Sequence, residues 1–139
     1  MRRNALIVAL LVAIAVTASA GGQDEAVAKG RAAATSWLAL ADSGKYGETW
    51  DEAATIFKSS ISKADWEKAL QGVRSRLGAL KSRTLKSATF TTTLPGVPDG
   101  EYVVIQFDTK FENKAAAVET VTPMHEKDGS WRVAGYFIK

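Results

Sequence analysis

A single glutamate, Glu119, interrupts the run Ala115-Ala116-Ala117-Val118, and its setting is the one in this chain that most invites chemistry. By strand alternation it shares a face with Ala117 and Val121. If that face is internal, the carboxylate must be paired, because an unpaired buried charge is costly. Arg74, Arg76 and Arg83 are the available guanidinium partners. Two readings follow: a buried ion pair that locks helix to sheet, or an acid and an anion-binding arginine sharing a pocket. The candidate ligand-binding set is Glu119, Arg74 and Arg83, joined by Tyr46 and Tyr136, whose polar tips suit the mouth of a cavity.

His125 is the only histidine and would be the natural general base or metal ligand near neutral pH. It sits beside Glu126, Lys127 and the last turn, where a solvent-exposed strand end is expected. No second histidine exists to complete a metal site, and no Ser-His-Asp spacing is readable. There is no cysteine, which removes thiolate nucleophiles, zinc-thiolate sites, a disulfide framework and a lipidated N-terminus. No glycine-rich phosphate loop occurs. Catalytic residues, metal and cofactor are therefore all expected to be none.

Charge is distributed in two groups. Arg74, Arg76, Lys81, Arg83 and Lys86 form a basic run with no acid between them, able to meet an anionic head group or cell-wall phosphate. Asp42, Glu48, Asp51 and Glu52 lack a calcium-loop pattern and are read as acids matched to helix starts.

The elements that must position these residues fall into a helical half and a strand half, changing near Lys81. Gln23–Asp42 is alanine-rich, with Val27, Ala34, Trp37, Leu38 and Ala41 at helical spacing, though Gly30 weakens it. Tyr46, Trp50, Ala53, Ala54 and Phe57 mark a second, shorter helix. Ser62 caps a third, in which Trp66, Leu70, Val73 and Leu77 share a stripe and Gly78 supplies the stop. From Arg83 the period becomes two. Strands are expected over 84–94, 101–111, 116–126 and 131–139, separated by Pro95–Gly100, a connection near Asn113–Ala115, and Lys127–Ser130. Short turns between them make an antiparallel meander. The class is α+β, three N-terminal helices on one face of a curved four-stranded sheet. The tryptophans Trp37, Trp50, Trp66 and Trp131 are expected mainly as core.

Residues 1–20 read as a secretory signal peptide: Arg2-Arg3, an uncharged run from Ala5 to Val16, and a small-residue ending cut after Ala20. The apolar run falls short of the ~20 residues a bilayer span needs. Residues 21–139 then form one domain, periplasmic or secreted, with no stable membrane anchor after cleavage. Two of the 18 basic residues leave with the label, so a net charge of +3 approaches neutrality. That argues against a nucleic-acid partner, which would need a basic face to displace counterions.

Several phrases in order resemble a family of small exported bacterial proteins, domain-of-unknown-function family 4019. They are WLALADSGKYGETW (Trp37–Trp50), Trp66, VRSRLGALKSR (Val73–Arg83), LPGVPDGEYVVIQFDTKFENKAAAVETVT (Leu94–Thr122) and GSWRVAGYFIK (Gly129–Lys139). The resemblance implies export and a compact α+β domain, and carries no catalytic residues. The helices-then-sheet order is also similar to the NTF2-like and cystatin-like group, whose cones host enzymes, carriers and association domains alike.

The leading expectation is a non-catalytic exported domain that binds a protein or small-molecule ligand, with the sheet offering a surface for homodimerisation. One alternative is a small NTF2-like enzyme using Glu119 or Asp108 as acid–base in an open cone, with Tyr136 or Arg83 orienting substrate. Another is attachment to envelope anions through the Arg74–Lys86 run.

Overall fold

The computed structural model describes residues 15–139. The predicted signal peptide falls mostly on residues 1–14, outside the described residues. The chain runs α1 (Ala15–Asp42), α2 (Tyr46–Asp51), α3 (Thr55–Ser60), α4 (Lys63–Leu77), β1 (Leu80–Thr91), β2 (Tyr102–Phe111), β3 (Lys114–His125) and β4 (Trp131–Ile138). It is an α+β domain whose four antiparallel strands lie in the order β1-β2-β3-β4. No helix among the described residues is long and apolar enough to cross a membrane.

Four helices stand where three were expected. The predicted second helix breaks at Ala53-Ala54, both fully buried. Ala54 adopts an extended conformation (φ −64°, ψ 155°) and donates its amide to the Val133 carbonyl of β4 at 2.8 Å. A backbone bond to the sheet there replaces continuation of the helix. The first helix also starts earlier than Gln23, since the Ala15–Gly22 stretch holds no proline to stop it.

Ser62 caps α4 as expected, its hydroxyl accepting the Asp65 amide at 3.2 Å. Gly78 ends the helix at φ 75°, a conformation other residues rarely adopt. The α4 C-terminus is then closed by the β2–β3 turn: Asn113 donates its amide to the Leu77 carbonyl at 2.8 Å and its side chain to the Arg76 carbonyl at 3.1 Å. That closure places Leu80 against Phe111, so β1 begins at Leu80 and not near Thr84.

α1 lies across all four strands, and the core is the layer between them: Ala34, Trp37, Leu38 and Ala41 of the helix against Val103, Ile105, Val121 and Val133. Thr49 of α2, fully buried, serves two of the tryptophans. Its carbonyl accepts the Trp37 indole N–H at 2.9 Å and its hydroxyl accepts that of Trp66 at 2.8 Å. Trp37 is thus a core member and Trp66 packs half-buried against that core, both with satisfied polar tips.

Gly30 has a packing reason to be in the middle of α1. A Cβ there would stand 2.9 Å from the Cβ and Cγ2 of Val103, where the helix crosses β2. Gly30→Ala would gain ~1 kcal/mol of helix propensity but overpack the crossing by about 1–3 kcal/mol. The expected result is a lower urea midpoint than wild type; a higher one would mean that α1 can ride up on the sheet.

Candidate functional site

Glu119 occupies the middle of the inner sheet face, and the registry explains its neighbours. Thr109 of β2 pairs with Ala117 and Tyr136 of β4 pairs with Val121, so each lies diagonal to Glu119 on a flanking strand. The Thr109 hydroxyl donates to Oε1 at 2.6 Å, and the Tyr136 hydroxyl donates to Oε2. Arg83, on β1 opposite Thr109, reaches across β2 and donates from Nε to Oε1 at 2.7 Å and from Nη2 to Oε2 at 3.2 Å. Four donors therefore occupy a carboxylate with about four lone-pair sites. Its side chain is 0% exposed.

Arg83 also grips Asp42, the last residue of α1. Nη1 donates to Oδ2 at 2.7 Å and Nη2 to Oδ1 at 3.0 Å. Arg74, from the last turn of α4, donates to Asp42 Oδ1 at 2.5 Å and to the Tyr136 hydroxyl at 3.4 Å, with its Nη1 3.9 Å from Glu119. The apolar stems and planes are covered too: the Arg74 guanidinium lies 5.0 Å from the Phe111 ring centre and that of Arg83 6.0 Å from Phe107. Two guanidiniums meet two carboxylates, so the cluster is neutral as a whole. It joins the C-termini of α1 and α4 to all four strands.

Asp42 was expected to belong with acids at helix starts. It sits instead at a helix C-terminus, where the dipole disfavours it, and the two guanidiniums outweigh that penalty. Sequence reasoning missed it because Asp42 and Arg83 are far apart along the chain. Arg76, offered as an equal partner for Glu119, is exposed and takes no part. The basic run is accordingly divided: Arg74 and Arg83 turn inward, while Arg76, Lys81 and Lys86 face solvent.

Burial alone would push the Asp42 carboxyl up; hydrogen bonds from Arg83 and Arg74 overcome it and hold the group below its ordinary value of 3.8. Burial, then the Glu119 charge and its hydrogen bond, push the Tyr136 phenol well above its ordinary 10.0. Burial opposes the charge on Arg74 and Arg83 as well, and the carboxylates more than restore it. For Asp42, depressed in the fold, the stabilisation is present at neutral pH and is lost as pH falls below 3.8. For Tyr136, raised in the fold, it is present below 10.0 and lost as pH climbs above, because the unfolded phenol ionises first. The stability gap between wild type and Asp42→Asn should thus close in acid, and that for Tyr136→Phe should close in alkali. Urea midpoints measured across pH check both; a gap that stays constant through either range contradicts the assignment.

The remaining candidates lie elsewhere. Tyr46 packs at the edge of the core beside Gly47 and Glu67, away from the cluster. Asp108 points out from the opposite sheet face, exposed in a shallow depression with Thr84 and Lys110. His125, at the end of β3, places Nδ1 2.6 Å from Glu101 Oε2 and stacks on Trp131 at 5.0 Å, so it is held rather than free at the strand end. Among the described residues no three acidic, histidine or cysteine side chains converge as a metal site would require.

Glu119 is sealed from solvent and lines none of the concavities described here for residues 15–139. A groove of about 570 Å³ opens between α1, α2 and the β3–β4 turn. Ala33, Trp37, Leu40, Trp131 and Val133 line it, with Glu48 and Glu52 at the rim and Arg132 3.8 Å from Glu52. Nothing in the sequence patterning signalled this groove, since its walls come from three separated segments.

One family model matches residues 33–136, a stretch that includes every member of the buried cluster; its description reads Protein of unknown function (DUF4019). No curated protein and no solved structure matches the chain.

Proposed function

The chain belongs to that family, and from this premise we propose that it is a non-catalytic binding domain of a bacterial cell envelope, exported by cleavage after Ala20. One observation carries the first half of the reading: Glu119, the best-placed acid, is sealed and has all its lone pairs engaged. A group in that state can neither take a proton from a substrate nor coordinate one. The cluster of Asp42, Arg74, Arg83, Glu119 and Tyr136 is architecture in this reading. The helices gathered on one sheet face support kinship with the NTF2-like and cystatin-like cones, and in this reading the space an open cone would offer is taken up by Trp37, Tyr136 and the ion cluster.

Binding falls to the groove over Trp37, Leu40, Trp131 and Val133. Its apolar floor and its Glu48 and Glu52 rim suit an amphipathic molecule with an apolar body and a cationic end. Titration with a short alkyl-trimethylammonium below its micelle concentration, followed by tryptophan fluorescence, should saturate. The matching alkyl sulfate should bind more weakly, and Glu48→Lys/Glu52→Lys should reverse the order. Equal, unsaturable responses to both would remove the groove reading. N-terminal sequencing of the envelope-extracted protein should begin at Gly21; a chain starting at Met1 would remove the export reading.

A further inference from the structure

The two edges of the sheet are treated differently. β1 is guarded: Lys81 and Lys86 project from it, and register shifts fall at Leu80/Ser82 and Leu85/Ser87. Charge and bulges of this kind are what keep an edge from pairing with another strand. β4 has no such protection over Gly135-Tyr136-Phe137-Ile138, which is uncharged and free of register shifts. Lys139 exchanges both backbone hydrogen bonds with Val118. By alternation, Phe137 and Gly135 turn their backbone groups to β3, and Tyr136 and Ile138 turn theirs outward. Toward its start the same edge is occupied, because Ala54 donates to Val133. Among the described residues, no backbone partner meets the outward groups of Tyr136 and Ile138.

The flank of this open edge is apolar. Phe137 is 58% exposed and Val73 of α4 is 43% exposed. A groove of about 270 Å³ runs between α4 and β4, walled by Trp66, Leu70 and Val73 on one side and Tyr136, Phe137 and Ile138 on the other. α4 packs chiefly on α2, and reaches the sheet through Leu70 and through Arg74 in the ion cluster. It overhangs the sheet edge with space beneath it.

We propose that this edge pairs with the β4 edge of a second copy of the chain, antiparallel, to give a continuous eight-stranded sheet. The occupant follows from the register. The open stretch lies between Val133, blocked by Ala54, and Ile138, where the strand ends, so its midpoint is Tyr136. A two-fold axis there sets Tyr136 against its own mate and Phe137 against Gly135 of the other copy. Gly135 has nothing within 4 Å of where a Cβ would stand, so the Phe137 ring has room to lie over it. An aromatic side chain covering a cross-strand glycine restores the packing the glycine lacks. Because the stretch carries no charge, identical strands meet without repulsion.

Sedimentation equilibrium of the purified protein should show a dimer, and Phe137→Asp should raise its dissociation constant at least tenfold while leaving the unfolding temperature of the monomer unchanged. The chain has no cysteine, so Gly135→Cys and Phe137→Cys report the register directly. Mixed under a mild oxidant, the two variants should cross-link to each other more than either does to itself. A monomer at high concentration overturns the proposal. So does a dimer indifferent to Phe137→Asp, or one whose mixed variants cross-link no better than each alone, since that dimer would use another surface.

Discussion

Arg83→Met is expected to lower the unfolding free energy by about 3–5 kcal/mol, the cost of leaving a buried charge without its partner. The methionine fills much of the aliphatic stem's volume but supplies none of the four hydrogen bonds to Glu119 and Asp42. Glu119 would then keep only two hydroxyl donors and the Arg74 guanidinium at 3.9 Å. For a domain of this size the melting temperature should drop by roughly 10–20 °C. The double variant Arg83→Met/Glu119→Gln should recover part of that loss, because the amide carries no buried charge, its oxygen still accepts from one of the Thr109 and Tyr136 hydroxyls, and its NH2 can donate to the other. Urea denaturation of the two singles and the double measures the coupling. A loss under ~1 kcal/mol for Arg83→Met would show the cluster to be as weak as a surface pair.

Trp37→Ala should cost a similar amount, about 3–5 kcal/mol, by a different route. Trp37 is 2% exposed, sits at the centre of the α1–sheet layer, and packs edge-on to Tyr136 at 5.0 Å. Removing it opens a cavity and orphans the Thr49 carbonyl that accepted its indole N–H. It also unbacks Tyr136, so the ion cluster should loosen with it. Trp50→Ala provides the contrast. That ring is half-buried, donates to the Ile61 carbonyl at 2.9 Å with the Lys58 ammonium 5.7 Å from its centre, and should cost ~1–2 kcal/mol. Equal losses for the two tryptophans would contradict the placement of the core.

The periodic parts of this protein were legible before any coordinates. The four strands, their meander order, the Ser62 cap and the Gly78 stop all follow from local chemistry that the residues carry with them. That Glu119 shares a face with Ala117 and Val121 was legible too; that this face is the buried one came from the structure. Which arginines reach it was not. Arg74 and Arg76 are two residues apart on α4, and a helix turns ~200° in that step, so they point to opposite sides. Sequence alone cannot say which side faces the sheet when both neighbours are polar. The break at Ala53-Ala54 was equally hidden, since helical propensity argued for continuation and the bond to Val133 came from a distant strand.

What the sequence determined by itself is the alternation, the caps and the turns, because those depend on neighbours within a few residues. Only the tertiary structure decided that Asp42, Arg74, Arg83, Glu119 and Tyr136 form one sealed unit, that a groove opens over Trp131, and that one sheet edge is left uncovered. Each of these depends on segments brought together by burial of the α1 face, and burial acts on area without regard to distance along the chain.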